Sequence, residues 1–567
     1  MKILVLLVLM ISTVIFAQPQ TFRSMSTGGM ILDDLDLWFS GMLFLQPVPD
    51  RLLDIEGIRV YSGLSNLSTG TDMIFKEADS TRGGFLLGGS YTPSGENFGL
   101  GILTEFMNDR FYGDISLIGP GGTPYITGQG FVEGTWSEYE DTNGDGTLDS
   151  RHTVHETGVA RTDSSFSSDG VYGAYSANET LRFGLGVSYV SSSTETLNQN
   201  DNYSIAVTDS NLVTGAETYT MNAAGEGYFK NDLHGIEVSA SVTGAATDMM
   251  DIGGMFMFTS LSSEVSQSAD QSGSENFLPG QSGVYDYISW NGSDNFSVSP
   301  TGNRFGGGLN MGLKLDESWT MDVSGGYYTL SMTGNSNQYS TTMDSSYIVT
   351  VGSFIDSTII DMDGSGGTDG EFNDDLIAAG AKLTFDPSEK FTISMGAGFF
   401  MHDNTNTVSN ASSNTIIETY TDGDDEFADP DDYVSTSTWT QTEETRTTLS
   451  TKRIAIPIGL EFEVLPKLYA RLGASPGFVW EKENVTNSLT DASPITTHIV
   501  YGDGSEQQLI ENPYDTVDGT LVETDETFTE IPYSYGVGYT PNDYIQIDLM
   551  GLGNNFDQWR LSATLSF

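Results

Sequence analysis

Through much of this chain, apolar residues fall on every second position. From 391 to 401, Phe391, Ile393, Met395, Ala397, Phe399 and Met401 alternate with Thr392, Ser394, Gly396, Gly398 and Phe400. Just before them, Ile377, Ala379, Ala381, Leu383 and Phe385 alternate with Ala378, Gly380, Lys382 and Thr384. Successive side chains of a strand point to opposite faces, whereas a helix repeats every 3.6 residues. The period of two therefore dictates strands with one apolar face and one polar or small face.

The strands come in pairs. Short turn sequences, "TPSGEN", "ANET", "TGAATDMM", "LDES", "DPSEK", "LPK" and "TPND", each join two alternating runs, which gives seven hairpins. The hairpins themselves are separated by long stretches: Thr194–Asp232, Ser263–Asn303, Gly334–Asn373, Asp403–Ser450 and Glu483–Thr527. Short turns alternating with long loops are the organisation of a transmembrane β-barrel. A first strand near Ile58–Asn66 and a last near Phe556–Phe567 bring the expected count to sixteen, with fourteen as the alternative. A soluble β-repeat protein with one wet face is the competing reading. It gives no reason for every second connection to be long.

Composition narrows the partners. Net charge is -56 over 567 residues, and no basic patch offsets it, so nucleic acid is excluded as a partner. Cysteine is absent, which removes disulfides and thiolate chemistry. The chain opens on "MKILVLLVLMISTVIFAQPQ", with Lys2 before an apolar run and the small Ala17 at its end. This is the pattern of a signal peptide over 1–17, cleaved before Gln18, and the run is short for a membrane helix.

The chain's last residues, "DQWRLSATLSF", alternate to the end: Trp559, Leu561, Ala563, Leu565 and Phe567 share one face. This resembles the C-terminal signal of outer-membrane β-barrel proteins. The resemblance implies an outer membrane of the Gram-negative type, contact with its lipid, and reading of the strand ending at Phe567 by barrel-insertion machinery.

Between signal and first strand, Met30–Leu45 mixes apolar and acidic residues around Trp38, Phe39 and Phe44. Left outside a barrel it would expose an apolar patch. Its expected place is the lumen, as an N-terminal plug over 18–57, with an arm or extra strand capping the barrel mouth as the alternative. The stretch "PVPDRLLDIEGIRVYSG", with Pro49, Leu52 or Leu53, and Gly57, resembles the entry to strand one in the long-chain fatty-acid transporter (FadL-type) family. That family's Asn-Pro-Ala is absent, since Val48 and Asp50 flank Pro49, and the family has fourteen strands. The resemblance implies an N-terminal hatch and passive uptake of hydrophobic molecules.

Charges fall on the polar faces of strands: Arg182, Arg304, Lys314, Lys382, Lys390, Arg453, Arg471 and Arg560, with Glu237, Asp251, Asp322, Glu461, Glu463 and Asp548. Facing a lumen, they would pair across a wet or plugged interior, either holding the barrel's shape or setting selectivity. The acidic excess lies between hairpins. In "DTNGDGTLDS", Asp141, Asn143, Asp145 and Asp149 surround Gly146 as at the start of a calcium loop. Position 12 is His152 rather than Glu, so the run is not an EF-hand, and a solvated acidic tip is the other reading. Asp361, Asp363 and Asp369 form a looser copy, and Asp422–Asp432 is a third acidic run. Calcium is thus a candidate ligand, and no motif requires a cofactor.

Catalytic signatures are missing. His152 and His155 point to opposite faces of a strand, and His234, His402 and His498 are scattered. No nucleophile elbow, phosphate loop or zinc-protease motif occurs, and nothing singles out Ser239 or Ser241 near His234. The expectation is an all-β, transmembrane, antiparallel up-and-down barrel over 58–567 with long acidic extracellular loops. It is not expected to be an enzyme. Its expected task is passive transport of small, possibly hydrophobic, solutes. A general porin and a structural or adhesive surface protein are the alternatives.

Overall fold

The computed structural model describes residues 21–27, 30–32, 35, 47–65, 80–112, 114–118, 124–129, 131–140, 148, 150–178, 180–197, 203–212, 217–277, 287–351, 354–388, 390–421, 432–512, 520–552 and 558–567. The expected signal peptide and the calcium candidates Asp141, Asn143, Asp145 and Asp149 lie outside the described residues.

One antiparallel sheet closes on itself through sixteen wall strands. These are β1 (Gly57–Ser65), β2 (Ser80–Thr92), β3 (Phe98–Tyr112), β4 (Arg161–Asn178), β5 (Leu181–Leu197), β6 (Glu217–Thr247), β7 (Met250–Phe277) and β8 (Thr301–Lys314). They continue as β9 (Trp319–Val351), β10 (Phe354–Ser388), β11 (Phe391–Thr421), β12 (Ile458–Leu465), β13 (Leu468–Ala474), β14 (Tyr533–Asn542), β15 (Ile545–Leu552) and β16 (Gln558–Ser566). Each strand pairs with its successor, and β16 pairs with β1. The closing seam ends in two backbone bonds of 2.9 Å, Ile58 N–H to the Phe567 carbonyl and Phe567 N–H to the Ile58 carbonyl. Gly57 sits at this seam with φ +77, and a Cβ there would strike the Phe567 carbonyl oxygen. Only glycine takes both the turn and the close approach without strain.

The two faces differ as the alternation requires. On β5, Phe183, Leu185, Val187 and Tyr189 are exposed on the outer face, while Gly184, Gly186 and Ser188 lie buried inside. On β10 the outward apolar run is Ile377 to Phe385, and its partner on β9 runs from Trp319 to Tyr327. Nine residues span about 26 Å of strand, or about 20 Å of height at a tilt of about 40°, close to the apolar band of an outer-membrane barrel. Aromatic side chains mark its margins. Trp319 stacks on Phe385 at 4.5 Å beside the short turns, and at the other margin the Tyr327 hydroxyl donates to Asp375 at 2.7 Å.

The connections expected as loops are largely paired strand. β10 is 35 residues long and β9 is 33, with two residues between them outside the described set. At about 3.3 Å per residue β10 extends roughly 115 Å, far beyond any bilayer. Between β11 and β12 the arm Tyr433–Ala455 continues the wall, and Gly477–Ala492 and Thr520–Glu530 do so between β13 and β14. The looser calcium copy is altered by this. Asp361, Asp363 and Asp369 lie along β10, paired on both sides, and their exposed side chains share one face of a strand rather than wrapping round a turn.

Three neighbouring walls pause at one level. The breaks fall at Ile456–Pro457, Ser475–Pro476 and Ile531–Pro532. Proline has no N–H to give the ladder. Its carbonyl still accepts, and Gly396, Ile456 and Ser475 donate to Pro457, Pro476 and Pro532 at 2.9 Å each, so the wall stays joined across the breaks.

The described N-terminal residues pack on the polar, inward face. Helix α1 (Phe22–Ser26) lies against β13, β14, β15 and β16, and the 3₁₀ turn Pro49–Asp54 lies against β2 to β6. Glycine makes room for both. A Cβ on Gly459 would meet the Thr27 carbonyl at 2.6 Å, and one on Gly184 would strike the Asp50 backbone nitrogen. Leu52 and Ile55 are fully buried among Tyr61, Leu86, Leu103 and Tyr172.

Candidate functional site

The inward charges meet as pairs. Arg304 donates to Glu237 at 2.7 Å, and Thr259 donates to the same oxygen at 3.1 Å; all three are buried. Arg471 reaches Glu461 at 2.6 Å and also binds Asp548, which accepts from Gln546 at 2.9 Å. Lys382 lies 3.5 Å from Asp322. A charge taken from water needs a partner and hydrogen bonds, and the Arg304 and Arg471 sets supply both.

Two of the sequence-chosen cations find partners that alternation on strands could not reveal. Arg182 pairs with Asp54 of the N-terminal turn, where Arg51 also lies 3.4 Å away. Arg453 contacts Glu530 at 2.5 Å. The Glu461 carboxylate also accepts from Arg23 of α1 at 2.8 and 3.1 Å, so the N-terminal segment is ion-paired to the wall at both ends. Arg560 donates toward the Met25 sulfur at 3.9 Å. Three residues lie at the rim rather than on the inner wall. Lys390 sits in the turn before β11, largely exposed and 3.5 Å from Glu463, while Lys314 and Asp251 are exposed at strand ends beside the short turns.

The feature that the sequence did not disclose is a reversal of the two faces. Within the band, β9 and β10 turn Met321, Val323, Leu383 and Phe385 outward, with Asp322 and Lys382 inward. Above it, Leu330, Met332, Phe372 and Leu376 are inward and buried, with Thr329, Ser331, Glu371 and Asp375 on the outside. No bulge separates the two regimes between Trp319 and Ser336. Leu330, Met332 and Phe372 join Val190, Phe229, Leu233, Leu261, Val265 and Val298 in one cluster across neighbouring strands. Tyr328 packs against this cluster and also against Met255, Met257 and Val48, so the apolar lining continues onto the N-terminal segment.

Among the described residues, no group of three or more acidic or histidine side chains is placed to hold a metal. No family model matches this chain. No curated protein matches it either. Among solved structures it is similar to the toluene transporter TodX of P. putida, at 10% identity over 97% of this chain and 99% of that one, with a TM-score of 0.35. It is also similar to the Ralstonia pickettii toluene transporter TbuX (12% identity, 78% and 98% covered, TM-score 0.32). A Pseudomonas aeruginosa FadL homologue is a third (11% identity, 97% and 98% covered, TM-score 0.29). The closed ring rests on the chain's own pairing and the two faces of its wall, not on these likenesses.

Proposed function

We propose that this protein is an outer-membrane channel for passive passage of small hydrophobic solutes. One observation carries the reading. Below, the wall is greasy outside and polar inside, as a bilayer demands. Above, it is polar outside and carries an apolar cluster on its inner face from β5 to β10, as a water-surrounded tube for an apolar guest demands. A solute leaving water would enter the upper tube, follow the apolar lining, and meet the N-terminal segment, which acts as a hatch held by Arg23–Glu461 and Arg182–Asp54. A porin for polar solutes has no use for the apolar lining.

Uptake tests this directly. Cells carrying the protein are expected to accumulate labelled naphthalene faster than cells without it, with no gain for a sugar of similar size. Steady open conductance in a planar bilayer, together with sugar uptake, would replace this reading by the porin.

A further inference from the structure

Beside the apolar cluster, the inner wall carries a row of buried polar groups, and several of their atoms have hydrogen-bonding capacity unspent. Asp374, His402, Asn404, Asn406 and Thr447 are each at most 3% exposed. They sit on adjacent strands in register: Asp374 opposite Asn404, Phe372 opposite Asn406, and Asn406 opposite Thr447 on the arm Tyr433–Ala455. Tyr328 stands in the same row, opposite Leu376, which is opposite His402. One Asp374 oxygen is taken by the His402 ring, and Asn404 approaches the same oxygen at 3.5 Å. The other Asp374 oxygen, the Asn404 carbonyl oxygen, both amide atoms of Asn406, and the Thr447 and Tyr328 hydroxyls have no hydrogen-bond partner among the described residues. Buried polar groups are rarely left unmatched, and several together beside an apolar lining mark a place built for a guest.

We propose that this row is a headgroup site for a neutral, hydroxyl-bearing hydrophobic solute, such as a phenol or another alcohol. The proposal deepens the transport reading and rests on it. The inventory sets the class. Three of the open atoms are acceptors only: the Asp374, Asn404 and Asn406 oxygens. One, the Asn406 amide nitrogen, is a donor only, and the hydroxyls of Thr447 and Tyr328 do either. A guest hydroxyl donates one hydrogen bond and accepts up to two, so it serves one acceptor oxygen and the Asn406 nitrogen together, and being uncharged it crosses the apolar lining at little desolvation cost. A carboxylate brings acceptors alone against a mostly accepting row that includes a carboxyl group. An ammonium serves the acceptors but leaves the Asn406 nitrogen unmet, and its charge must be stripped of water to pass the apolar lining. A plain hydrocarbon satisfies none of them.

The test is equilibrium binding to the full protein in lipid nanodiscs, with 1-naphthol, naphthalene and 1-naphthoate as fluorescent probes. Naphthol is expected to bind about tenfold more tightly than naphthalene, with naphthoate weakest. Asn406→Leu removes the preference for naphthol and leaves naphthalene binding unchanged or tighter. Thr447→Val, of nearly the same shape, moves naphthol affinity the same way by a smaller factor. Equal binding of naphthol and naphthalene to the unaltered protein, a preference for naphthoate, or retention of the naphthol preference in both variants would each overturn the assignment. Uptake separates the two ideas. Naphthalene entry without naphthol preference sinks only the headgroup site, whereas naphthol preference without entry of either probe sinks the channel.

Discussion

Arg471 and Arg23 share one carboxylate, Glu461, yet they stand in different surroundings. Arg471 is 3% exposed and holds both Glu461 and Asp548, whereas the Arg23 side chain is 29% exposed. Arg471→Met takes the cation from the buried Asp548 and leaves Glu461 with Arg23 alone, and the expected loss is about 3–5 kcal/mol. It would be read as a lower midpoint in the heat-modified gel shift of the folded barrel. Arg23→Ala leaves the Arg471 pairs intact and is expected to cost the wall under about 1 kcal/mol. Its effect falls on the hatch instead, as faster proteolysis of the N-terminal segment and faster solute entry. Equal midpoints for the two variants would contradict this division. The wall charges Arg304, Glu237, Arg471, Glu461 and Asp548 could be chosen from sequence because their neighbours alternate. Arg23, which pairs with Glu461, and Asp54, which pairs with Arg182, lie in a segment without alternation, where no periodic signal says which side chain faces the wall.

The arms were illegible for a different reason. Alternation reveals a strand only when one face meets something apolar. Runs such as Thr436–Thr448 carry polar residues on both faces, with Trp439 their one large apolar side chain, so they read as loop, though β-branched threonines suit strands. The reversal at Leu330 and Phe372 misleads in the same way. Moving the apolar residues from odd to even positions looks like a strand's end, whereas the strand runs on and its surroundings change. The seven turns, by contrast, lie where the short turn sequences place them, because turn chemistry is local.

One arm makes a pH-dependent prediction. Pairing of Gly477–Ala492 with Thr520–Glu530 sets Glu481 opposite Glu526. Burial, then the nearby charges of Glu526 and Glu483, push the Glu481 carboxyl above its ordinary range. A carboxyl raised on folding favours the folded arm when protonated, so its contribution is full at low pH and is lost as pH rises through the raised value. Amide protection factors across this arm, corrected for intrinsic exchange, are expected to be larger near pH 4 than near about pH 7, the ordinary glutamate value being about 4.3. Glu526→Gln should flatten the trend, and an unchanged slope in that variant would remove Glu526 as a cause.

At the scale of the whole molecule, the decisive question is what surrounds the band. Leu185 is 66% exposed on the outer face of β5. In a water-soluble protein, Leu185→Arg at so open a site would be nearly neutral. Facing lipid near mid-band it is expected to cost about 2–4 kcal/mol. Denaturant titration in lipid vesicles distinguishes the two, and a neutral result would remove the membrane from the picture. Phe567 offers a second contrast. Its contacts with Ile58 are backbone bonds, and its side chain is 68% exposed. Phe567→Ala is therefore expected to leave folded stability within about 0.5 kcal/mol. The yield of membrane-inserted protein in cells should nevertheless fall if insertion machinery reads this side chain. Unaltered yield would argue against that partnership.

The seam between β1 and β16 joins segments some five hundred residues apart in sequence. Until it forms, every curved fragment of the wall carries two raw margins of unmet amides, which hydrocarbon does not tolerate. Once shut, the molecule can come apart only by tearing a whole margin free at once. The lifetime of a barrel closed in this way is then expected to follow how seldom that rupture happens, not a favourable balance continually renewed.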